Sequence, residues 1–115
     1  MTDREMLELA AKAAEWQLCG YSWIGENEDD GECEILESAF VKTHPDQELA
    51  TKWNPLTDDG DALRLADHLD LIVDFSRFAA IQADRFYLGH RDFAIGNNVN
   101  EAITRAAAQI GKEMK

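Results

Sequence analysis

Positive charge is absent from a long stretch of this chain. Between Lys12 and Lys42 there is no Lys or Arg, while Glu15, Glu26, Glu28, Asp29, Asp30, Glu32, Glu34 and Glu37 contribute eight negatives. The formal net charge of the 115 residues is −12. All of it lies in the first half, where residues 1–61 hold 16 Asp/Glu against 4 Lys/Arg; residues 62–115 hold 7 of each. Direct binding to nucleic acid through its phosphates is excluded by this balance, because that requires Lys and Arg to displace counterions. A partner with a basic surface is what such a chain suits.

Other absences narrow the reading further. No apolar run approaches the roughly 18 residues of a membrane-spanning helix, and the N-terminus is charged and helical in pattern rather than signal-like, so a cytoplasmic location is expected. Cys19 and Cys33 lack CxxC spacing and a His pair at zinc-finger distance. They are expected to be reduced, partly buried strand residues. There is no internal repeat, linker or low-complexity tract. With 45% hydrophobic residues, three Trp and five Phe, the chain has the composition of one globular domain, residues 1–115.

What is present centres on Trp53–Leu69, WNPLTDDGDALRLADHL. Pro55 fixes its own φ and disfavours helix at Asn54, so Trp53 and Asn54 are extended or turning. Thr57, Asp58 and Asp59 can each accept the free N–H groups of a first helical turn, and Asp61 adds negative charge where the helix dipole is positive. Leu63, Ala66 and Leu69, widened by Ala62 and Leu65, form the expected apolar stripe; Arg64, Asp67 and His68 face elsewhere. Trp53 is read as a packed anchor for the start of this helix.

This block, with Arg4-Glu5-Met6-Leu7-Glu8-Leu9-Ala10-Ala11-Lys12-Ala13-Ala14 before it and the Ala-rich NEAITRAAAQIG segment after it, resembles small phage and prophage proteins. The resemblance covers residues 3–14, 53–69 and 97–111. It implies an α-β-α layered fold of the phage sandwich type and a bacterial host, and it brings no catalytic residue. The chain departs from the pattern at Glu15-Trp16, where a Gly would end the first helix, and in the acidic segment 25–37.

Taken in order, Thr2 and Glu5 form a capping box. Met6, Leu9, Ala10 and Ala13 recur at helical spacing, predicting an amphipathic helix over 3–14 whose alanines pack closely on another element, the C-terminal helix being the natural partner. Residues 17–24 alternate and carry aromatics, and with 32–37 they are predicted to form an antiparallel hairpin turning through Glu26–Gly31. Residues 38–52 read as a loop, with either a short strand near Ala39–Lys42 or a helical turn near Asp46–Thr51. Leu71, Val73 and Phe75 mark a half-buried strand; Ala79–Ala83 and Phe86–Leu88 are further strand candidates. Asn98 with Glu101 imitates a capping box, and Val99, Ile103, Ala106, Ala107, Ile110 and Met114 make a helical stripe. The expected class is α+β: an antiparallel β-sheet of about four strands with N-terminal, central and C-terminal helices packed on it.

Few patterns carry chemistry. The run 25–34 carries Glu26 where the EF-hand pattern begins with Asp, and it reads as a turn between two strands rather than a loop between two helices, so no metal is expected. Thr57–Asp61 lacks the further carboxylates and basic clamp of a phosphoryl-transfer site. His44, His68 and His90 are scattered, two in loops and one on a helix's polar side, with no alignment to a nucleophile. No cofactor is implied. The leading expectation is a non-enzymatic phage or prophage accessory protein acting by protein–protein interaction. Its surface would be Glu26, Glu28, Asp29, Asp30, Glu32 and Glu34 with Tyr21 and Trp23, engaging a basic host or phage protein, for instance a nucleic-acid-binding defence factor inhibited by DNA-like charge. The helix-start motif Trp53, Asn54, Pro55, Asp58 and Asp59 is structural. Two alternatives stand beside it: a small-ligand or enzymatic module with a pocket near Trp53 and Asp58, Asp59 or His90 at its rim, and an oligomeric structural protein, a homodimer included.

Overall fold

The computed structural model describes residues 2–25 and 34–114. Glu26, Glu28, Asp29, Asp30, Glu32 and Cys33 lie outside the described residues, and so does the predicted turn.

Helix α1 spans Asp3–Ala14, as its spacing predicts. The Thr2 hydroxyl accepts the Glu5 N–H at 3.1 Å and donates to the Glu5 carboxylate at 3.1 Å, so Glu5 returns to the cap's hydroxyl rather than to its backbone. The helix ends in a left-handed residue without glycine: Glu15 has φ 61° and ψ 33°. Glu15 N–H bonds Lys12 C=O and Trp16 N–H bonds Ala11 C=O, each at 3.0 Å, which is the Schellman arrangement.

Strand β1 (Gln17–Gly25) pairs antiparallel with β2 (Glu34–Lys42), and β2 with β3 (Thr51–Trp53). β2 therefore takes in the short strand allowed near Ala39–Lys42 and makes it continuous with the second strand of the hairpin. The β1–β2 register slips twice. The first slip passes over Cys19 and the second, between Ser22 and Trp23, passes over Glu37. Each leaves one residue without a partner across the ladder, as in a bulge. Cys19 is consequently exposed, not partly buried as alternation suggests.

Helix α2 (Asp59–His68) starts at Asp58, whose carboxylate accepts the Asp61 N–H at 2.9 Å. Ala62, Leu65 and Ala66 are its buried residues. Leu63, expected in the stripe, is 51% exposed, because the stripe follows the narrower 62–65–66–69 line. A second antiparallel sheet follows, ordered β4 (Leu71–Asp74), β5 (Ala79–Gln82) and β6 (Ala94–Ile95). Its first turn is held by Asp74, whose carboxylate accepts from the Ser76 N–H and hydroxyl and from the Arg77 N–H.

Between β5 and β6 the segment expected as a strand at Phe86–Leu88 is instead helix α3 (Ala83–Tyr87). A strand there would need a partner edge, whereas the aromatics satisfy one another locally. Phe86 packs edge-on with Tyr87 and Phe93, at 5.8 and 6.1 Å between ring centroids. Arg91 sits 4.4 Å over the Phe86 ring. Helix α4 (Val99–Glu113) closes the chain, capped by Asn98, which accepts the Glu101 N–H at 2.9 Å.

The class is α+β, with the strands divided between two three-stranded antiparallel sheets rather than gathered in one of about four. Helix α4 lies against α1, α2, β5 and β6. The core is rich in alanine: Ala10, Ala11, Ala14, Ala62, Ala66, Ala106 and Ala107 surround Leu7, Leu65, Ile103 and Trp53. Small side chains let the helices approach closely, and the larger residues fill the gaps left between them.

Candidate functional site

Two regions bring chemistry-bearing side chains together. The first is the far end of the β1–β2 hairpin. Pairing continues to Gly25 opposite Glu34, so the acidic segment joins two adjacent strands. Trp23, four-tenths exposed at 44%, stands on the strand leading into it. Its ring centroid lies 6.2 Å from that of Tyr21. Tyr21 is tied to α1: its hydroxyl donates to Glu8 at 2.8 Å and the Arg4 guanidinium lies 5.1 Å over its ring. Burial and the Glu8 carboxylate together raise the phenol above its ordinary range, so it stays neutral. Of the two predicted aromatics, Trp23 is thus the one free to meet a partner, and Tyr21 supports it from behind.

The helix-start motif proves to be a clamp between sheet and helix. Trp53 is 4% exposed and meets Trp16 edge-to-face at 5.8 Å. Asn54 is buried; its amide donates to the Glu37 carbonyl at 2.8 Å, and its side-chain oxygen accepts the Leu56 N–H at 3.0 Å. That carbonyl belongs to the residue passed over at the second β1–β2 slip. The Glu37 carboxylate accepts the Ser22 hydroxyl at 2.7 Å and Lys52 Nζ at 3.3 Å. These partners, Ser22 foremost, hold it below the usual carboxylate range. Asp61 completes the clamp by accepting the Asn54 N–H at 2.9 Å.

The second region is a cleft of about 530 Å³ beside this clamp. It is lined in part by Trp53, and Asp58, Asp59 and His90 are not at its rim. Asp58 is spent on the α2 cap and Asp59 accepts from Asn100 at 2.9 Å. His90 lies beyond α3, where its N–H bonds the Arg85 carbonyl at 3.0 Å. The cleft is instead bounded by Trp16, Trp53, His44, Lys52, Arg64 and His68. His68 Nε2 donates to the Ala14 carbonyl at 2.9 Å, and its ring lies 4.9 Å from Trp16 at 32°. Sequence reading could not find this set, since Trp16 and His68 meet only once the ends of α1 and α2 converge.

Among the described residues, no group of 3 or more His, Cys, Asp or Glu is placed to share a metal ion, and no helix is long and apolar enough to cross a membrane. In comparison with known proteins, the chain matches no family model, no curated protein and no solved structure.

Proposed function

We propose that this chain is a phage or prophage accessory protein that acts by binding a protein with a basic surface through its acidic hairpin. The observation that carries the reading is one of placement. Of the eight negatives without a positive between Lys12 and Lys42, seven fall on or between two antiparallel strands, with Trp23 exposed on the strand that leads into the most acidic part. One-signed charge accelerates encounter with a complementary surface, and a neighbouring aromatic supplies the desolvated contact that slows release. The phage setting rests on the blocks at 3–14, 53–69 and 97–111. Occupation of a nucleic-acid-binding host protein by DNA-like charge is the concrete form of the reading.

The test is affinity capture from phage-infected bacterial lysate with the wild-type chain and with a variant carrying Glu26→Lys, Glu28→Lys, Asp29→Lys and Asp30→Lys. A basic partner should be retained by wild type at low salt, weaken steeply at moderate salt, and be lost with the variant. Trp23→Ala should weaken the same capture while leaving its salt dependence in place. Capture that the charge reversal leaves unchanged overturns the proposal.

A further inference from the structure

The composition of the cleft beside Trp53 runs against that of the chain. Where the molecule as a whole has a net charge of −12, this cleft is lined by two cations, Lys52 and Arg64, and one carboxylate, Asp61, with the imidazoles of His44 and His68 beside them. That carboxylate is already engaged on both oxygens. Its Oδ2 accepts the Asn54 N–H at 2.9 Å and its Oδ1 accepts Arg64 Nη2 at 2.6 Å. We propose that the cleft binds a small planar molecule bearing an anionic group, of about the size of a nucleoside monophosphate.

Three features argue for that class. At about 530 Å³ the space falls within the range of roughly 300–1,000 Å³ typical of small-molecule sites. Its wall is aromatic, formed by Trp16 and Trp53 at 5.8 Å and by His68 against Trp16 at 4.9 Å, which suits a flat ring more than a flexible chain. The cations stand at the exposed rim. The Lys52 side chain is 62% exposed and Arg64 69%, each paired with one carboxylate, Glu37 and Asp61 respectively. The Lys52–Glu37 pair is of the exposed kind that contributes only about 0–1 kcal/mol, so an anion can recruit Lys52 at small cost, while Arg64 keeps the 13% exposed Asp61 on Nη2 and offers its remaining N–H groups. A guanidinium and an ammonium then offer a forked and a point contact to the same anion. The Asp61 pairing keeps Arg64 at the mouth when no ligand is bound. Exposed carboxylates farther than about 8 Å from the cleft are largely screened at physiological salt, so they do little to exclude a single small anion.

The experiment uses the indole N–H signals of the full chain in ¹⁵N-resolved NMR. Three are expected, from Trp16, Trp23 and Trp53, and Trp23 lies outside the cleft and serves as an internal control. Adenosine monophosphate, adenosine, benzoate and inorganic phosphate are titrated to about 1 mM, the regime of weak specific binding. Adenosine monophosphate or benzoate should move the Trp16 and Trp53 signals in a saturable way and leave Trp23 in place. Adenosine and phosphate, each lacking half of the recognised chemistry, should bind at least tenfold more weakly. Saturation by benzoate alone supports the same site with a carboxylate in place of phosphate. A Lys52→Ala, Arg64→Ala variant should abolish the shift while keeping a dispersed spectrum, since both side chains are exposed. No saturable shift with any probe, equal binding of adenosine and its monophosphate, or equal movement of Trp23 overturns the proposal. The hairpin reading is decided separately, by the capture experiment with the charge-reversed variant.

Discussion

Gly111 of α4 lies so close to Leu9 of α1 that a methyl group added to it would collide with the Leu9 carbonyl oxygen. The contact explains why both helices are built from small residues along their shared face. Ala10, Ala13 and Ala14 of α1 and Ala107, Ala108 and Gly111 of α4 are buried there. A bare backbone at the crossing permits an approach that no side chain would allow.

Gly111→Ala should therefore destabilise the fold. In an exposed helix the change would gain about 1 kcal/mol from helix propensity. Here the added methyl meets a carbonyl on a packed helix, and overpacking of this kind costs about 1–3 kcal/mol. Urea denaturation measures the balance. A variant as stable as wild type would mean that α1 slides away from α4 without loss.

Glu15 presents the opposite case, a side chain where its absence would be better. Its φ of 61° is left-handed, a conformation that costs an ordinary L-residue roughly 1–2 kcal/mol and a glycine nothing comparable. Glu15 has no hydrogen bond through its carboxylate among the described residues that would offset this. Glu15→Gly should raise stability by about 1 kcal/mol, visible as a higher denaturation midpoint with an unchanged slope.

The elements legible in the sequence were those specified locally. Thr2, Asp58 and Asn98 each announce a helix start by residue type and spacing, and each accepts the N–H three residues on. The strand at Leu71–Asp74 was legible as a strand, but Phe75, read as its third inward residue, lies beyond it and is 61% exposed. What escaped was set by partners distant in the chain. The ladder slip at Glu37 depends on Ser22 and Trp23 across the hairpin, and α3 depends on Phe86 finding Phe93 and Arg91. The cleft depends on Trp16 meeting His68. Acidic composition identified a candidate surface without geometry; the cleft supplies geometry without any motif to announce it.

Asn54 couples these local and distant parts, and its removal should cost more than loss of a cap. Asn54→Ala would leave the Glu37 carbonyl and the Leu56 N–H without their partners at 2.8 and 3.0 Å. An unsatisfied buried polar group costs about 1–3 kcal/mol. Asp58→Ala loses a single exposed cap bond, worth about 1 kcal/mol. Equilibrium unfolding of the two variants should place Asn54→Ala lower in stability. The reverse order would mean that water replaces both Asn54 bonds.

Acid stability should report the same junction. Glu37 is held below its ordinary pKa first by the Ser22 hydroxyl and then by Lys52; Asp74 is lowered first by the Ser76 hydroxyl, with the Ser76 and Arg77 N–H groups and the Arg77 charge adding to it. A carboxylate with a depressed folded-state pKa stabilises the fold above its unfolded pKa, and that contribution disappears as pH falls through the folded value. Stability should accordingly be flat near neutral pH with respect to these groups and decline below about pH 4. Ser22→Ala should move the Glu37 carboxyl titration upward toward the ordinary range, and by more than Lys52→Ala does, because the short hydroxyl bond outweighs an ion pair exposed to solvent. Carboxyl-carbon NMR titration of the two variants measures both shifts. A larger effect from Lys52→Ala would assign control of Glu37 to charge, and would place the hold on the hairpin's second slip in β3 rather than in β1.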